Sequence, residues 1–110
     1  MKIAILLKSG PSTAEAERAL TLASDMLSQG HSVSLYLLQD AVHLCRPGLR
    51  FPSCTKLQSI MERNLAVHAL KQDCSLRGID PMLGDKAIPA GDYDNLIDLL
   101  ESSDRVIGIL

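Results

Sequence analysis

The hydrophobic positions of this chain follow two alternating periods. Residues 3–7 are an unbroken apolar run, which is typical of a central strand covered on both faces. From residue 16 to residue 27 the apolar side chains recur three and four positions apart, and this spacing predicts an amphipathic helix. We expect Ser12 and Glu15 to form a capping box at its start and Gly30 to end it.

The middle of the chain repeats this order of strand and helix. Residues 32–38 alternate apolar and polar side chains, which predicts a strand with one less buried face. Residues 39–52 contain Pro and Gly breakers and are predicted as a loop with one short helical turn. Helical spacing returns over residues 55–63, with Asn64 as a stop, and residues 65–70 are predicted as a third strand.

The last third of the chain contains one more helix and one more strand. Residues 79–91 are rich in Pro and Gly, and we expect turns there around one short apolar piece. Asp92 can cap a helix with an apolar face at residues 96, 97, 99 and 100, and residues 104–110 are predicted as the closing strand. This alternation predicts an α/β fold, with a mostly parallel sheet flanked by helices on both faces. We expect residues 1–110 to form a single domain.

Composition and charge narrow the classes of function. The chain has 110 residues, of which 46% are hydrophobic and 22% are charged, as in ordinary soluble globular proteins. Its aromatic side chains are Tyr36, Tyr93 and Phe51, too few for the stacking surfaces of single-stranded nucleic-acid binders. A net charge of -2 adds no electrostatic attraction for nucleic acid, so we expect no direct nucleic-acid partner.

The first residues and the cysteines bear on location. The apolar run at residues 3–7 is too short to span a membrane, and it lacks the cleavage pattern of a secretory signal. The chain contains three cysteines, an odd number, which fits reduced thiols. We therefore expect a cytoplasmic protein that is not associated with a membrane.

Cys74 is the main candidate for chemistry. It follows the predicted strand 65–70 at its carboxyl end, the edge of a parallel sheet where ligands bind and reactions take place. We expect the turn after Cys74 to begin a helix, whose positive end lowers the pKa of a thiol, and Arg77 to add a second positive charge. Asp73 acts in the opposite direction. The alternative is an inert core thiol, because free cysteines are among the most buried residues.

The other sulfur and nitrogen ligands lack the spacing of a metal site. Cys45, Cys54, His43 and His68 form no C-x-x-C or H-x-x-x-H pair, so we predict no metal. We interpret His68 as a packed residue of the third strand and Cys54 as a small residue near a helix start. Cys45 follows the second strand at the same edge as Cys74. It is either a second thiol of the site or a filler, and we favour the filler.

A small-molecule site has weaker support. Ser9, Gly10 and Pro11 precede the first predicted helix, whose N-terminus attracts anions, and His43 adds one more polar group. The chain has neither a G-x-G-x-x-G nor a G-x-x-x-x-G-K-[ST] motif. We therefore interpret Ser9 to Pro11 as a plain turn and predict no cofactor.

Taken in order, these segments resemble the DsrE/DsrF-like family, which includes the YchN-like proteins and the sulfur-relay subunits TusB, TusC and TusD. The matching residues cover most of the chain: 2–7, 17–23, Gly30-His31-Ser32-Val33, Gln39-Asp40-Ala41-Val42, Cys74 with Arg77-Gly78-Ile79, and Ser103-Asp104-Arg105-Val106-Ile107. The resemblance implies a flavodoxin-like, three-layer subunit that assembles into trimers or hexamers, or into hetero-oligomers with related subunits.

The resemblance also implies a function. Catalytic members of the family carry sulfur as a cysteine persulfide, and Cys74 matches the sulfur-carrying cysteine, with Arg77 and Gly78 as the Arg-Gly pair that follows it. The expected activity is that of a sulfurtransferase, which takes sulfur from a donor protein and passes it to an acceptor protein. The alternative is a non-catalytic assembly or regulatory subunit in which Cys74 is structural, since a fold does not determine a function.

Overall fold

Strands and helices alternate along the chain in this computed structural model, which describes residues 1–48 and 51–109. The strands are β1 (Lys2–Leu7), β2 (Ser32–Leu37), β3 (Ala66–Leu70), β4 (Met82–Leu83), β5 (Lys86–Ala87), β6 (Ala90–Gly91) and β7 (Arg105–Ile109). The helices are α1 (Ala14–Ser28), a 3₁₀ helix (Gln39–Cys45), α2 (Pro52–Met61), α3 (Lys71–Leu76) and α4 (Tyr93–Ser102). The part of the predicted loop at residues 49 and 50, and the predicted strand end at residue 110, lie outside the described residues.

A parallel sheet of five strands forms the centre of the protein, in the order β6-β3-β2-β1-β7. Every pair of neighbouring strands in it is parallel. Ile5 of β1 lies beside Leu35 of β2, and Leu35 lies beside Val67 of β3, so one apolar row crosses the sheet and joins the core. The predicted flavodoxin-like α/β fold, with helices flanking the sheet, is confirmed.

The two faces of the sheet are covered to different degrees. Leu20 of α1 and Leu57 of α2 belong to the same buried cluster as Leu35. Tyr36 points to the opposite face, because successive side chains of a strand alternate, and its hydroxyl donates to Asn95 of α4. α4 has no buried residue, and its predicted apolar face is half-buried or exposed. The face under α4 therefore has the thinner cover.

The start of α1 differs from the predicted capping box. Thr13, and not Ser12, is the N-cap, and its Oγ1 accepts a hydrogen bond from the Ala16 N–H at 3.2 Å. The N–H and the hydroxyl of Thr13 both donate to the Gly10 carbonyl, and this turn moves the helix start one residue further along. Gly30, with a φ of +87°, ends the helix as predicted.

α2 begins at Pro52, before the predicted start at residue 55. Proline fits the first turn of a helix, because the N–H that it lacks has no helical partner there, so Pro52 starts the helix instead of breaking it. Asn64 follows the helix with a φ of +70°, a left-handed conformation that suits its predicted role as a stop. Neither α2 nor any other helix within the described residues combines the length and apolar character needed to cross a membrane.

β2 is more buried than its alternation predicts. Ser32 is exposed and Ser34 is half-buried, yet Tyr36 is fully buried. β2 is the middle strand of the sheet, and the hydroxyl of Tyr36 lies against the start of α4. The prediction of a less buried face is therefore wrong at Tyr36, because neighbours from other elements enclose it.

Residues 79–91 contain more structure than the predicted turns. β4 and β5 pair antiparallel as a hairpin, and Gly84 turns the chain with a φ of +63°. β6 then joins the edge of the main sheet, where Ala90 lies opposite Ala69 of β3. Strands of two residues are too short for a period to appear in the sequence. Asp92 caps α4 as predicted, since its Oδ1 accepts the Asn95 N–H at 2.8 Å.

Candidate functional site

The carboxyl ends of β2 and β3 bring two cysteines to one edge of the sheet. The 3₁₀ helix follows β2 and ends at Cys45, while α3 follows β3 and carries Cys74. These two short helices pack against each other. Their thiols are close enough that charge on Cys74 raises the pKa of Cys45. The sequence prediction that Cys45 and Cys74 share an edge is therefore confirmed.

Cys74 is enclosed. It is only 3% exposed, although Ser75 and Leu76 beside it on α3 are exposed. α3 starts directly after β3, so Cys74 lies in the second half of a helix of six residues, and the expectation that a helix begins after Cys74 is wrong. Burial raises the pKa of the Cys74 thiol, Asp73 raises it further, and Arg77 opposes both. The positive end of α3 therefore does not activate this thiol.

The guanidinium of Arg77 is held between two carboxylates. Its Nε and Nη2 donate to Asp40 Oδ1 at 3.3 and 3.1 Å. Its Nη1 donates to the backbone carbonyl of Asp73 at 3.2 Å and lies 3.6 Å from Asp73 Oδ1. Arg77 is therefore close enough to Cys74 to favour the thiolate, but each of its three nitrogens already donates to Asp40 or Asp73.

Asp73 also closes the turn at the end of β2. Its Oδ2 accepts the Gln39 N–H at 2.6 Å, and Gln39 has a φ of +49°, which residues other than glycine rarely adopt. This bond ties α3 to the start of the 3₁₀ helix. The sequence did not indicate Asp40 and Asp73 as partners of Arg77. The signal for both was their place just after a buried strand, at the same edge of the sheet.

Cys45 and Cys54 are core residues. Cys45 is fully buried, and burial raises the pKa of its thiol to about 12, which agrees with the favoured interpretation as a filler. Cys54 lies near the start of α2, as predicted, and burial raises the pKa of its thiol as well. Within residues 1–48 and 51–109, no group of three His, Cys, Asp or Glu side chains is arranged to hold a metal ion.

Tyr36 and His68 form a stacked pair under α4. Their ring centroids are 5.7 Å apart and their planes differ by 11°. The Tyr36 hydroxyl donates to Asn95 Oδ1 at 3.1 Å, and burial is the main cause that raises its pKa to about 12. His68 lies in β3, as predicted, with its Nδ1 buried and unpaired among the described residues, and burial lowers its pKa. The stacked pair and the bond to Asn95 therefore tie β2 and β3 to the start of α4.

An open groove lies between α3 and the start of α4. Its volume is about 500 Å³, and it is lined by Lys71, Gln72, Ser75, Leu76 and Asp92. Leu76 is 80% exposed there. Cys74 lies on the buried side of the same helix. The groove and the Cys74 thiol therefore lie on different sides of α3.

The residues named for a small-molecule site lie near this edge too. A Cβ at Gly10 would lie 3.7 Å from the backbone oxygen of Asp40, so the loop after β1 approaches the 3₁₀ helix. His43 is a half-buried residue of that helix. The three loops at this edge thus converge around the Asp40 and Arg77 ion pair.

Raising the pH above about 9 is expected to lower the free energy of unfolding. The Cys45 thiol has an ordinary pKa of 9.0, and burial raises it to about 12 in the folded protein. Between these values the unfolded chain binds fewer protons than the folded protein, so stability that is complete below pH 9 is lost as the pH rises towards 12. Urea unfolding at a series of pH values measures this slope.

The matched control for this titration is Cys45→Ala, which removes the thiol. Tyr36, whose pKa is also raised to about 12, adds to the slope above pH 10 in both proteins. We therefore expect a shallower but non-zero slope in the variant. Equal slopes in the two proteins would contradict the assignment to Cys45.

Comparison with known proteins identifies the family. A sequence model described as DsrH-like protein matches residues 12–106. The crystal structure of the YchN protein from E. coli is similar with a TM-score of 0.84 and 25% sequence identity, over 98% of this chain and 98% of that chain. A conserved protein of unknown function from Bacteroides thetaiotaomicron shares the fold, with a TM-score of 0.80 and 14% identity over 98% of this chain and 94% of that chain. No curated protein matches the sequence significantly.

The family match runs from the residues before α1 into β7 and includes Cys74 and Arg77. It agrees with the resemblance to the DsrE/DsrF-like group that the sequence indicated. The chain belongs to the DsrH-like family.

Proposed function

We propose that this protein carries sulfur as a persulfide on Cys74 and passes it to a partner protein. The DsrH-like family is a sulfur-relay family. The observation that carries the proposal is the position of Cys74 at the carboxyl edge of the sheet, close to the Arg77 guanidinium and across α3 from an open groove. All three thiols are buried, but among the described residues a cation lowers the pKa of Cys74 alone of the three.

The proposed transfer is a thiol exchange in two steps. The Cys74 thiolate attacks the outer sulfur of a donor persulfide, so that a new S–S bond forms to Cys74, the S–S bond of the donor breaks, and the donor leaves as a thiolate. A thiolate of the acceptor then attacks the outer sulfur on Cys74 and releases the Cys74 thiolate. Electrons balance in each step, because one S–S bond forms as another breaks, and neither a metal nor an organic cofactor is needed.

Arg77 is the proposed electrostatic partner of the carrier. Its positive charge lowers the pKa of the Cys74 thiol, against the effects of burial and of Asp73. The same charge would stabilise an anionic persulfide on Cys74, because hydrogen bonds between charged groups are stronger than neutral ones. For this role a guanidinium N–H has to turn from Asp40 or Asp73 towards the sulfur.

The proposed partners are a sulfur donor protein and a sulfur acceptor protein in the cytoplasm. Members of the family act in sulfur-relay complexes with partner subunits. The assembly into trimers, hexamers or hetero-oligomers that the resemblance implies stays a prediction. The groove beside α3, with the exposed Leu76 in its wall, is the surface at which a partner comes nearest to the Cys74 helix.

A second candidate function is that of a non-catalytic assembly or regulatory subunit. The observation in its favour is the enclosure of Cys74, which is 3% exposed and has a raised pKa. Both features are typical of an inert structural thiol. The two candidates differ in whether Cys74 takes up sulfur.

Mass measurement after incubation with a persulfide donor tests the proposal. We expect the reduced protein to gain one sulfur, about 32 Da, on Cys74. Trypsin cleaves after Lys and Arg and so leaves the three cysteines in different peptides, which locates the added sulfur.

Cys74→Ser is the test variant, and Cys45→Ser is its matched control at the same edge. We expect the first to lose the gain completely and the second to keep it. No gain in the wild-type protein, or a gain that persists in Cys74→Ser, would refute the carrier role and favour the assembly subunit.

A further inference from the structure

Two polar links cross the seam between α3 and the 3₁₀ helix. The carboxylate of Asp73, the neighbour of Cys74 in the chain, accepts the Gln39 N–H at 2.6 Å. The Arg77 guanidinium, whose Nη1 lies 3.6 Å from the same carboxylate, donates twice to Asp40, at 3.1 and 3.3 Å. Both links join residues of α3 or its end to the first residues of the 3₁₀ helix. The Cys74 thiol lies at this seam, near Cys45 of the 3₁₀ helix, and is closed off, although the residues that follow it on α3 are open to solvent.

The two links differ in strength. The Asp40 side chain is 69% exposed, so its ion pair with Arg77 is screened by water and salt. The Asp73 side chain is only 13% exposed, and its bond to Gln39 is short and has a charged acceptor, which makes it the stronger of the two. Gln39 is held with a φ of +49°, an unfavourable conformation that this bond helps to maintain. The seam therefore combines a weak outer link with a strained inner one.

We propose that Asp40, Arg77 and Asp73 act as a latch that keeps Cys74 closed and that opens locally when a partner binds. Opening separates the start of the 3₁₀ helix from α3 and frees guanidinium donors of Arg77. A carboxylate on the partner can take the place of Asp40, since it offers the same chemistry to the guanidinium. The proposal that the latch controls access to Cys74 depends only on these contacts. The proposal that this access serves sulfur transfer depends on the proposed function.

The latch makes Arg77 a positioning residue in the closed state and an anion partner in the open state. Closed, its charge already lowers the pKa of Cys74, but each of its three nitrogens donates to Asp40 or Asp73 and is turned away from an anionic sulfur there. Open, the released donors are three residues from the thiol along the chain and can turn towards it. Access to Cys74 and stabilisation of its charged form are thereby switched on together.

Alkylation of Cys74 by a small and a bulky reagent, iodoacetamide and a large maleimide, tests the latch. A change in thiol pKa alters both rates by the same factor, because both reagents need the thiolate. A change in access favours the bulky reagent, so the ratio of the bulky rate to the small rate reports opening alone. Peptide mapping after trypsin cleavage assigns each rate to Cys74.

Asp40→Asn is the main variant, because Asp40 is exposed and its loss leaves the core intact. We expect the bulky-to-small ratio to rise about two- to fivefold, as loss of an exposed ion pair allows. Asp73→Ala, which also removes the bond to Gln39, is expected to raise the ratio about tenfold or more. Asp80→Asn is the matched control, since Asp80 is exposed and forms no ion pair with the described residues, and the ratio should not change.

Salt gives a second readout on unaltered protein. Salt of about 1 M should raise the ratio in the wild type and have little effect in Asp40→Asn, whose outer link is already lost. An unchanged ratio in Asp40→Asn would overturn the latch, even if both rates rise, because that result is a pKa effect. The mass test for sulfur uptake is independent, so failure of the latch and failure of the carrier role are distinguishable.

Discussion

Tyr36→Ala is expected to lower the free energy of unfolding by about 3–5 kcal/mol, the usual cost of removing a large buried aromatic side chain. Tyr36 is the largest fully buried side chain among the described residues. Its ring stacks on His68 at 5.7 Å, so the truncation leaves a cavity and an uncovered imidazole. Urea or thermal unfolding of the purified variant measures the loss.

Tyr36→Phe is the matched control, because it keeps the ring and removes the hydroxyl alone. The lost hydrogen bond to Asn95 should cost only about 0.5–1.5 kcal/mol, since water can reach the exposed Asn95. A Phe variant as unstable as the Ala variant would mean that the hydroxyl, and not the packing of the ring, stabilises the region under α4.

Gly91→Ala is expected to lower the free energy of unfolding by about 1–3 kcal/mol, the usual cost of overpacking. A Cβ at Gly91 would overlap the Tyr36 hydroxyl oxygen and the Asn95 side-chain oxygen. Asn95 is exposed and can turn away, but the ring of Tyr36 is enclosed and cannot. The extra methyl group therefore pushes β6 and the start of α4 away from the sheet. Denaturant unfolding measures the cost.

A double-mutant cycle identifies the cause of that cost. In the Tyr36→Phe background the oxygen that meets the new Cβ is absent, so Gly91→Ala should be markedly less destabilising than in the wild type. The same cost in both backgrounds would show that the Tyr36 hydroxyl is not the obstacle. Because Asp92, which caps α4 and follows Gly91, lines the groove beside α3, the Gly91 variant should also change the shape of this groove without any change in the thiols.

The strands that the sequence predicts well are those with continuous apolar runs. β1, β3 and β7 lie within or very near their predicted bounds, because each contains a short apolar run that is visible without knowledge of its neighbours. The run reports burial on both faces only in β1, since β7 is an edge strand whose residues are exposed or half-buried. α1 and α4 were equally visible from spacing, with the Asp92 cap and the Gly30 stop at the expected residues. By contrast, β4, β5 and β6 have two residues each, and no period can be detected over that length.

The sequence predicts where the candidate site lies, but not how its side chains are enclosed and paired. The order of elements was enough to expect Cys45 and Cys74 at one edge, because the carboxyl ends of parallel strands always lie together. The role of Cys74 as a carrier stays a proposal. The prediction that a helix starts after Cys74 is wrong, since α3 begins as soon as β3 ends and Cys74 lies inside it.

The sequence by itself determined the α/β order, the edge at which Cys74 lies and the family to which the chain belongs, because local periods and short motifs encode these. Only the tertiary structure decided that Cys74 and Tyr36 are buried and that Arg77 is engaged by two carboxylates. Arg77 and Asp40 are 37 positions apart in the sequence, and Tyr36 and Asn95 are 59 positions apart. Contacts over such separations depend on how the sheet is ordered and covered, and no local pattern of polar and apolar residues contains that information.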